Sequence, residues 1–421
     1  MRQHQDSTNG RQPGPGRNPF GEQLPPAILV DPSDNGPGFA RSLGRRGVPV
    51  VLLTTPSYAW TARVRGVDGR VLGPLPDHGA LWVKSLQEVA HGGGGVLVSA
   101  SDNACELLVR ERARIPVALR SFEAPDSRHL QLMDKASLYA LAERLGVPHP
   151  VTHLIATPAD IETVQRAAAY PCVLKPALSH RWRRLFGDRR VVFVRDRREL
   201  RAAAQQAVEA GLALLVSDYI PGPVGNIETA VMIRRADGSF PLAYTKHKLR
   251  QYPDLGAGTL HETMPAPDTL ELARRLLEGA DFVGLASVEA KRHERTGEAV
   301  LVEVNVRLPQ GFGLGDAAGL DASWRLYAAL AEAPLGAQAQ QRQGIRLVVA
   351  TLELPAAREL LLTRKLGLRR LLASYRGVRA VSGLEARDPR LLLAFAGHQL
   401  RHLLRGLMGR VRAMRHAAGG S

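Results

Sequence analysis

The feature that most constrains the fold is a predicted pair of adjacent strands at the start of the last third of the chain. The first strand carries Glu289, a polar turn with a Thr-Gly step follows, and the second runs from Val300 to Val306 with alternating apolar and polar residues. Pairing of the two strands would bring Glu289 beside Glu303. A period of two places the polar residues on one face and the apolar residues on the other: Glu303, Asn305 and Arg307 against Val302, Val304 and Val306.

This polar face has two interpretations. Two neighbouring carboxylates repel each other unless a positive charge lies between them. Oxygen ligands suit Mg²⁺, which in proteins usually binds together with phosphates. Arg307, two residues beyond Asn305, is placed to hold a phosphate oxygen. The alternative is a solvated hairpin face whose acids pair with surface arginines, and the spacing alone leaves both open.

Length and composition limit the class of protein. A chain of 421 residues is long enough for two or three domains, and it contains no apolar run of about 18 residues that would span a membrane. Residues 1–24 lack an apolar run and are rich in polar residues, Pro and Gly, which predicts a disordered leader. The two cysteines, Cys105 and Cys172, are too far apart for a disulfide framework or metal knuckle, which favours a reducing, cytoplasmic compartment.

The net charge of +16 is concentrated at the C-terminal end. From residue 335 onward, sixteen Lys or Arg stand against four acidic residues, so the body of the chain is close to neutral and no nucleic acid is expected as a partner. In residues 336–421, leucines alternate with arginines in a pattern that predicts a basic helical extension. Such a segment either packs on the body of the protein with its arginines solvated, or it binds peripherally to the inner face of an anionic membrane. A homodimer is also compatible with the sequence.

The order of elements predicts an α/β domain followed by an α+β unit. A strand at 27–30, a glycine-containing loop, a helix and a strand at 48–53 form a βαβ unit, and a strand at 96–98 ends in the polar residues 101–103. Residues 25–120 are therefore predicted as an N-terminal domain with a parallel sheet. Lys135 begins a helix, and Lys175 lies on a strand before the basic loop 179–184.

Taken in order, these segments resemble the ATP-grasp superfamily, in particular its predicted ATP-dependent carboxylate–amine ligases. The matching segments span about residues 25–335: Met133-Asp134-Lys135, Tyr170 to Pro176, Lys248 to Pro253 and Glu303 to Arg307. The resemblance implies an N-terminal parallel α/β domain, an ATP-grasp domain at 121–335 with a small lid subdomain at about 152–217, and the C-terminal helical basic extension.

The resemblance also implies roles for individual residues. Lys135 and Lys175 would hold ATP phosphates, with the basic loop 179–184 covering them. The hinge Ser217, Asp218, Tyr219 and Ile220 would lie along the adenine, and Asn226 or Glu228 would bind the ribose in place of the acids that relatives carry there. Two Mg²⁺ ions, replaceable by Mn²⁺, would bind Glu289, Glu303 and Asn305. Lys248 and Arg250 would face the γ-phosphate or the substrate carboxylate, and Arg307 would stabilise the transferred phosphoryl group.

The implied reaction is phosphorylation of a small-molecule carboxylate by ATP to an acylphosphate, which an amine then attacks to form an amide. A carboxylate is a poor electrophile, and its phosphorylation supplies a leaving group. The alternative is a nucleotide-binding regulatory or scaffold protein that keeps the ATP-grasp fold without turnover, held at a membrane through its basic tail.

Overall fold

The computed structural model describes residues 24–176, 191–401 and 404. The predicted leader up to residue 23, the phosphate-covering loop 179–184 and most of the chain beyond residue 401 lie outside this part. None of the helices in the described part is both long and apolar enough to cross a membrane.

The N-terminal region folds around a five-stranded, wholly parallel sheet in the order β3-β2-β1-β4-β5. Its three central strands are almost entirely apolar and buried, because both faces of such a sheet are covered. Short 3₁₀ turns lie at Pro56–Arg63, Leu75–Asp77 and Arg112–Arg114. The strands are β1 Ala27–Val30, β2 Val50–Thr54, β3 Asp68–Val71, β4 Gly95–Ser99 and β5 Leu119–Arg120, and the helices are α1 Asn35–Gly44, α2 Gly79–Ala90 and α3 Asp102–Arg110.

Two consecutive helices, α4 His129–Met133 and α5 Lys135–Arg144, lead to a second sheet of four antiparallel strands in the order β6-β9-β7-β8. Two helices pack on this sheet and enclose a small separate core that includes Leu174, Leu200 and Val216. The elements are β6 Thr152–Ile155, α6 Pro158–Ala167, β7 Cys172–Pro176, β8 Val192–Val194, α7 Arg197–Glu209 and β9 Leu214–Asp218.

The third and largest sheet has seven strands in the order β14-β13-β10-β11-β12-β15-β16. All its pairings are antiparallel except the one between β15 and β16. A 3₁₀ turn at Val224–Asn226 leads into the sheet. The strands are β10 Ile227–Arg234, β11 Leu242–Tyr252, β12 Ala257–Thr263, β13 Gly284–Arg292, β14 Ala299–Asn305, β15 Arg346–Val348 and β16 Val378–Val381.

The two faces of the seven-stranded sheet contribute to different cores. On one face, Val231 and Tyr244 join the core of the N-terminal region together with Leu29. On the other, Ala230 and Val288 pack with α5 and with the amphipathic helix α8. The remaining helices are α8 Pro267–Gly279, α9 Gly313–Ala317, α10 Ala322–Ala331, α11 Ala350–Leu362, α12 Leu368–Ser374 and α13, residues 389–401.

The C-terminal segment is helical but is not separate from the central sheet. Beside its three helices, residues 346–348 and 378–381 form β15 and β16 at one edge of that sheet. The predicted domain boundary at residue 336 therefore does not coincide with the end of the sheet. Strands of three and four residues are too short to leave a period-two pattern that separates them from a loop.

The predicted hairpin of β13 and β14 forms with one irregularity. Glu289 pairs directly with Glu303, as predicted, but Ala290 pairs with Leu301, so Val302 is bulged out of the ladder. Leu301 and Val304 are buried, whereas Val302 is only partly buried. The predicted alternation is thus wrong at Val302 because the bulge shifts every residue before it by one position.

Candidate active site

The candidate site lies on one face of the seven-stranded sheet. Residues that stand opposite each other on neighbouring strands point to the same side of a sheet. One such row crosses five strands and contains a lysine at one end and two acids at the other: Thr263, Lys246, Thr229, Glu289 and Glu303. The same face carries Lys248 and Lys291, each two residues further along its strand.

Two lysines compensate the paired acids. The Nζ atom of Lys248 lies 2.8 Å from both carboxylate oxygens of Glu289. The Nζ atom of Lys135 lies 3.8 Å from Oε2 of Glu303, whose Oε1 accepts a 3.0 Å hydrogen bond from Nδ2 of Asn305. Carboxylates on adjacent strands are stable here because each has a cationic neighbour.

The helix α5 packs on the opposite face of the sheet, beside its edge strand β14, and brings two polar residues to the site. Its N-cap is Asp134, whose Oδ1 accepts a hydrogen bond from the backbone N–H of Ser137, so the helix begins at Lys135 as predicted. One turn later, the Tyr139 hydroxyl donates to the carbonyl oxygen of the bulged Val302 at 2.7 Å and accepts from Nζ of Lys175 at 3.3 Å. The bulge therefore anchors the tyrosine that positions Lys175.

Lys175, on strand β7 of the four-stranded sheet, is 8% exposed. Burial lowers its pKa, and the nearby Glu303 and Glu289 partly offset that effect. Its ammonium also lies 5.9 Å from the centre of the Tyr139 ring. A buried ammonium held toward two carboxylates is well placed for an anionic ligand that approaches them.

Arg307 connects the site to the N-terminal region. Its Nε donates to Oδ1 of Asp102 at 2.9 Å, and its Nη2 donates to Oδ1 of Asn305 at 3.2 Å. Burial would raise the pKa of Asp102, but the charge and hydrogen bond of Arg307 outweigh it and lower that pKa. Asp102 begins α3 after the N-cap Ser101, whose side chain accepts from Ala104 N–H and fixes the start of the helix.

The predicted hinge follows strand β9. Ser217 is buried and its hydroxyl lies 3.0 Å from that of Thr152, while burial raises the pKa of Asp218. The Tyr219 ring packs edge-on against Phe193, and Nζ of Lys291 lies 4.9 Å from its centre. Asp218, Tyr219 and Ile220 are partly buried, so this segment presents an aromatic and aliphatic surface beside the sheet.

Comparisons with known proteins agree with this architecture. The chain is 23% identical over 222 residues to the D-aspartate ligase of Enterococcus faecium. It is 29% identical over 231 residues to the N5-carboxyaminoimidazole ribonucleotide synthase of Synechococcus elongatus. These matches cover 50% and 52% of the chain and 53% of each relative, so the chain spans about half the length of the curated relatives it matches. No protein-family model matches the chain.

A solved structure of N5-carboxyaminoimidazole ribonucleotide synthetase in complex with ADP superposes with a TM-score of 0.62 at 15% identity. The superposition covers 80% of this chain and 85% of that one. The chain has the ATP-grasp fold.

Not every predicted residue reaches the site of this ATP-grasp fold. Arg250 lies on β11 two residues beyond Lys248, yet its guanidinium is paired with the buried Glu353 of α11 and donates to Oγ of Ser374 at 2.7 Å. Glu353 also accepts hydrogen bonds from Thr259 and Tyr375. A β-bulge after Lys248 redirects β11 here, and Arg250 joins the sheet to the C-terminal helices.

The two residues predicted for the ribose are engaged in a structural network. Both carboxylate oxygens of Glu228 are bound by Arg292, at 2.7 and 3.0 Å, and Oε2 also accepts from the Thr269 hydroxyl. Nδ2 of Asn226 donates to the carbonyl oxygen of Arg292 at 2.9 Å. Bidentate pairing of this kind fixes both partners, so Glu228 holds strands β10 and β13 together.

The structure adds residues that the sequence argument did not assign to the site. Tyr139 carried a signal, because it lies four residues after Lys135 and therefore on the same helix face. Asp102 is one of the polar residues 101–103 that follow the predicted strand at 96–98. Lys246 and Lys291 stood out only as two of the seven lysines in an arginine-rich chain.

The donor set fits a divalent metal that arrives with phosphates. Two carboxylates and one carboxamide oxygen are hard oxygen ligands, but they are fewer than the six that Mg²⁺ requires. Within the described ranges, no cluster of three or more His, Cys, Asp or Glu residues has metal-binding geometry. Phosphate oxygens and water would have to complete the coordination of an ion bound at Glu289, Glu303 and Asn305.

Proposed function

We propose that this protein is an ATP-dependent ligase that joins a small-molecule carboxylate to an amine. The observation that carries the proposal is the convergence of all three sheets on one polar centre. The central sheet supplies Glu289 and Glu303, the four-stranded sheet supplies Lys175, and the N-terminal region supplies Asp102 through its pair with Arg307. The curated relatives that the chain resembles are a ligase and a synthase, which agrees with this assignment.

ATP would bind with its phosphates toward the acids and its base toward the hinge. Lys135 and Lys175 are the cations placed to bind phosphate oxygens, and Tyr219 offers an aromatic surface for the adenine. Glu289, Glu303 and Asn305 would hold two Mg²⁺ ions, or Mn²⁺ in their place. The metal would supply charge neutralisation for the phosphates.

In the reaction, a carboxylate oxygen attacks the γ-phosphorus, and the bond from that phosphorus to the oxygen bridging to the β-phosphate breaks, which releases ADP. The amine nitrogen then attacks the acyl carbon, inorganic phosphate leaves, and the nitrogen loses a proton. Lys248, which pairs with Glu289, and Arg307, which pairs with Asp102, would lie near the transferred group, where their charges would lower the barrier. The lid at about 152–217 would exclude water, which otherwise hydrolyses an acylphosphate.

The competing function is a nucleotide-binding regulatory or scaffold protein without turnover. A protein that only binds ATP would not need the full set of two acids, Asn305 and Arg307. Because Glu303, Asn305 and Arg307 form one hydrogen-bonded network opposite Glu289, catalysis explains them better.

The test is ADP release from MgATP with a matrix of carboxylates and amines that includes D- and L-amino acids, with products identified by mass. At least one pair should stimulate ADP release and yield a product whose mass equals the two substrates minus one water. Tight ATP binding without stimulation by any pair would support the scaffold function and contradict the ligase.

We also propose that the basic C-terminal segment, residues 336–421, binds to the inner face of an anionic membrane. Nine of the fifteen large exposed apolar residues in the described chain lie from Leu354 to Leu404. On α13, Leu391 and Phe395 face the core beside Trp60, while Leu393 and Leu400 are exposed. The segment is strongly basic, so apolar and cationic groups share one surface, as in interfacial helices.

Vesicle sedimentation tests this contact with vesicles of phosphatidylglycerol and phosphatidylcholine. The double variant Leu393→Ser/Leu400→Ser should lose binding about tenfold. A matched variant at exposed apolar sites of the N-terminal region, Leu81→Ser/Val117→Ser, should bind like the wild type. Equal binding of all three proteins, or no binding by the wild type, would refute the contact.

A further inference from the structure

Asn35 is a buried asparagine at the start of α1, at a point where three segments of the chain meet. It is the first residue of the helix and is 5% exposed. Its Nδ2 donates to the carbonyl oxygen of Ala100 at 3.1 Å and to that of Leu308 at 2.6 Å. Its Oδ1 accepts a hydrogen bond from the backbone N–H of Ser33 at 2.9 Å. These partners lie in the segments that follow β4, β14 and β1, respectively.

A carboxamide meets the requirements of this position, and a carboxylate of the same shape does not. Two carbonyl oxygens need donors at one end of the side chain, and a backbone N–H needs an acceptor at the other end. An ionised aspartate has no donor, and an apolar side chain would leave both carbonyl oxygens without this partner. The two bonds from Nδ2 reach residues 65 and 273 positions away, so the side chain of Asn35 joins distant segments.

The backbone already holds the same segments side by side. The N–H of Leu308 donates to the carbonyl oxygen of Ser99 at 2.9 Å, and the N–H of Ala100 donates to that of Val30 at 3.0 Å. These bonds join the continuation of β14 to the end of β4, and the end of β4 to the end of β1. Asn35 adds a second connection, because it binds the carbonyl groups of the two residues whose N–H groups make the first.

The carbonyl oxygen of Leu308 also contacts the arginine of the site. Nη1 of Arg307 lies 3.5 Å from this oxygen, and Nε of Arg307 donates to Oδ1 of Asp102 at 2.9 Å. Asp102 lies two residues after Ala100, which is the other partner of Asn35. The same two segments are therefore joined twice, by the Asp102–Arg307 pair and by Asn35. A shift of either segment would move the guanidinium relative to Asp102.

We infer that Asn35 is a positioning residue that holds the segments after β4 and β14 together and thereby fixes the guanidinium of Arg307 in the site. The step that it would serve, stabilisation of the transferred phosphoryl group by Arg307, rests on the proposed ligase function. The arrangement of the two segments rests on the hydrogen bonds of Asn35 and is measurable without turnover.

The first test is hydrogen–deuterium exchange of the full chain, followed by mass spectrometry. Asn35→Asp places an acceptor against two carbonyl oxygens, and Asn35→Ser is a milder variant that serves if Asn35→Asp does not fold. Exchange should become about tenfold faster in peptides that cover residues 99–103 and 305–311. Gln87→Glu is the matched control: it removes a bond from Nε2 to the carbonyl oxygen of Arg114 on another side of the N-terminal region, and it should exchange like the wild type in both peptides.

The second test separates positioning from a general loss of stability. Because Arg307 would act on the transition state, Asn35→Ser should lower kcat for ADP release about 100-fold and leave the KM for MgATP within about twofold. In an Arg307→Met background, the same substitution should cause almost no further loss, because the guanidinium that it positions is absent. A residue that only stabilises the fold would lower kcat by the same factor in both backgrounds.

The outcomes distinguish this inference from the proposed function. Unchanged exchange in both peptides of the Asn35 variants would overturn the inference, and so would equal losses of kcat with and without Arg307. Faster exchange in these peptides, in a protein that releases no ADP with any pair of substrates, would support the role of Asn35 in holding the segments and contradict the ligase function.

Discussion

The ammonium of Lys248 lies 2.8 Å from both carboxylate oxygens of Glu289, and Lys135 stands in a similar relation to Glu303 at 3.8 Å. Both acids expected to hold metal are therefore compensated by lysines of the chain itself. Mg²⁺ that binds with ATP must compete with these ammonium groups for the same oxygens. The lysines, once displaced, would stand beside the phosphates that the metal brings.

Lys248→Met should therefore increase the affinity for a divalent ion in the absence of nucleotide. Loss of a positive charge next to Glu289 removes a repulsion for the cation, and about a tenfold gain is expected at a partly solvated site. The Mn²⁺ affinity is measured from the signal of free Mn²⁺ in electron paramagnetic resonance, with Lys84→Met as the charge-matched control. Unchanged or weaker Mn²⁺ binding in Lys248→Met would show that Glu289 is not a metal ligand.

Glu303→Gln should reduce ADP release at least 100-fold. The substitution preserves shape but removes a charged oxygen ligand and the partner of Lys135. The control is Glu298→Gln, at an exposed acid in the turn of the same hairpin. Substantial residual turnover in Glu303→Gln, comparable with the control, would mean that the metal site lies elsewhere.

The buried pair of Arg250 and Glu353 should contribute chiefly to stability. Glu353→Gln leaves a guanidinium buried without its counterion and is expected to lower the free energy of unfolding by about 3 kcal/mol. Arg250→Met should lower the free energy of unfolding by a similar amount. The double variant Arg250→Met/Glu353→Gln should lower it by less than the sum of the two single effects. Denaturant unfolding measures these values, with Glu359→Gln, an exposed acid of the same helix, as control.

An opposite result would restore the role first expected for Arg250. If Arg250→Met abolished ADP release at unchanged unfolding free energy, the guanidinium would act on the phosphate or the carboxylate and not on the C-terminal helices.

Asp34 should make stability depend on pH. Its Oδ2 accepts a hydrogen bond from the Thr351 hydroxyl, and its Oδ1 is buried without a partner among the described residues. Burial raises the pKa of Asp34 to about 6. Because its pKa is raised, the Asp34 carboxyl keeps its proton up to a higher pH in the folded protein than in the unfolded chain. This residue therefore favours folding below about pH 4, and that contribution to stability is lost as the pH rises to about 6. Asp34→Asn removes the titration.

Relative to the wild type, the variant should therefore gain about 2 kcal/mol of unfolding free energy between pH 4 and pH 7. Denaturant unfolding at four pH values gives the difference between the two proteins. Parallel curves for wild type and Asp34→Asn would contradict the buried, proton-retaining state.

Local patterns predicted the elements that hold the site, because those elements have strong periodicity or clear boundaries. The helix at Lys135 begins after an N-cap aspartate, and strands β13 and β14 pair Glu289 with Glu303 as expected. The bulge at Val302 was not predictable, because residues 299–302 are all apolar and leave no alternation in which a change of register would show. It is this bulge that frees a carbonyl oxygen for Tyr139.

Long-range ion pairs engage two of the residues that the sequence predicts for the site. Glu228 and Arg292 are 64 positions apart, and Arg250 and Glu353 are 103 apart. When their strands are considered alone, Glu228 and Arg250 look like polar residues that are free to bind a ligand. Only the sheet order, which brings β13 beside β10 and the C-terminal helices over β11, reveals the partner.

The proposed reaction requires that a carboxylate is phosphorylated at this face of the sheet. The most direct measurement uses an ¹⁸O-labelled carboxylate found active in the substrate matrix, with the released inorganic phosphate analysed by ³¹P nuclear magnetic resonance. Attack of the carboxylate oxygen on the γ-phosphorus predicts one ¹⁸O in each phosphate released with product. Phosphate that contains no ¹⁸O while amide accumulates would contradict the acylphosphate route.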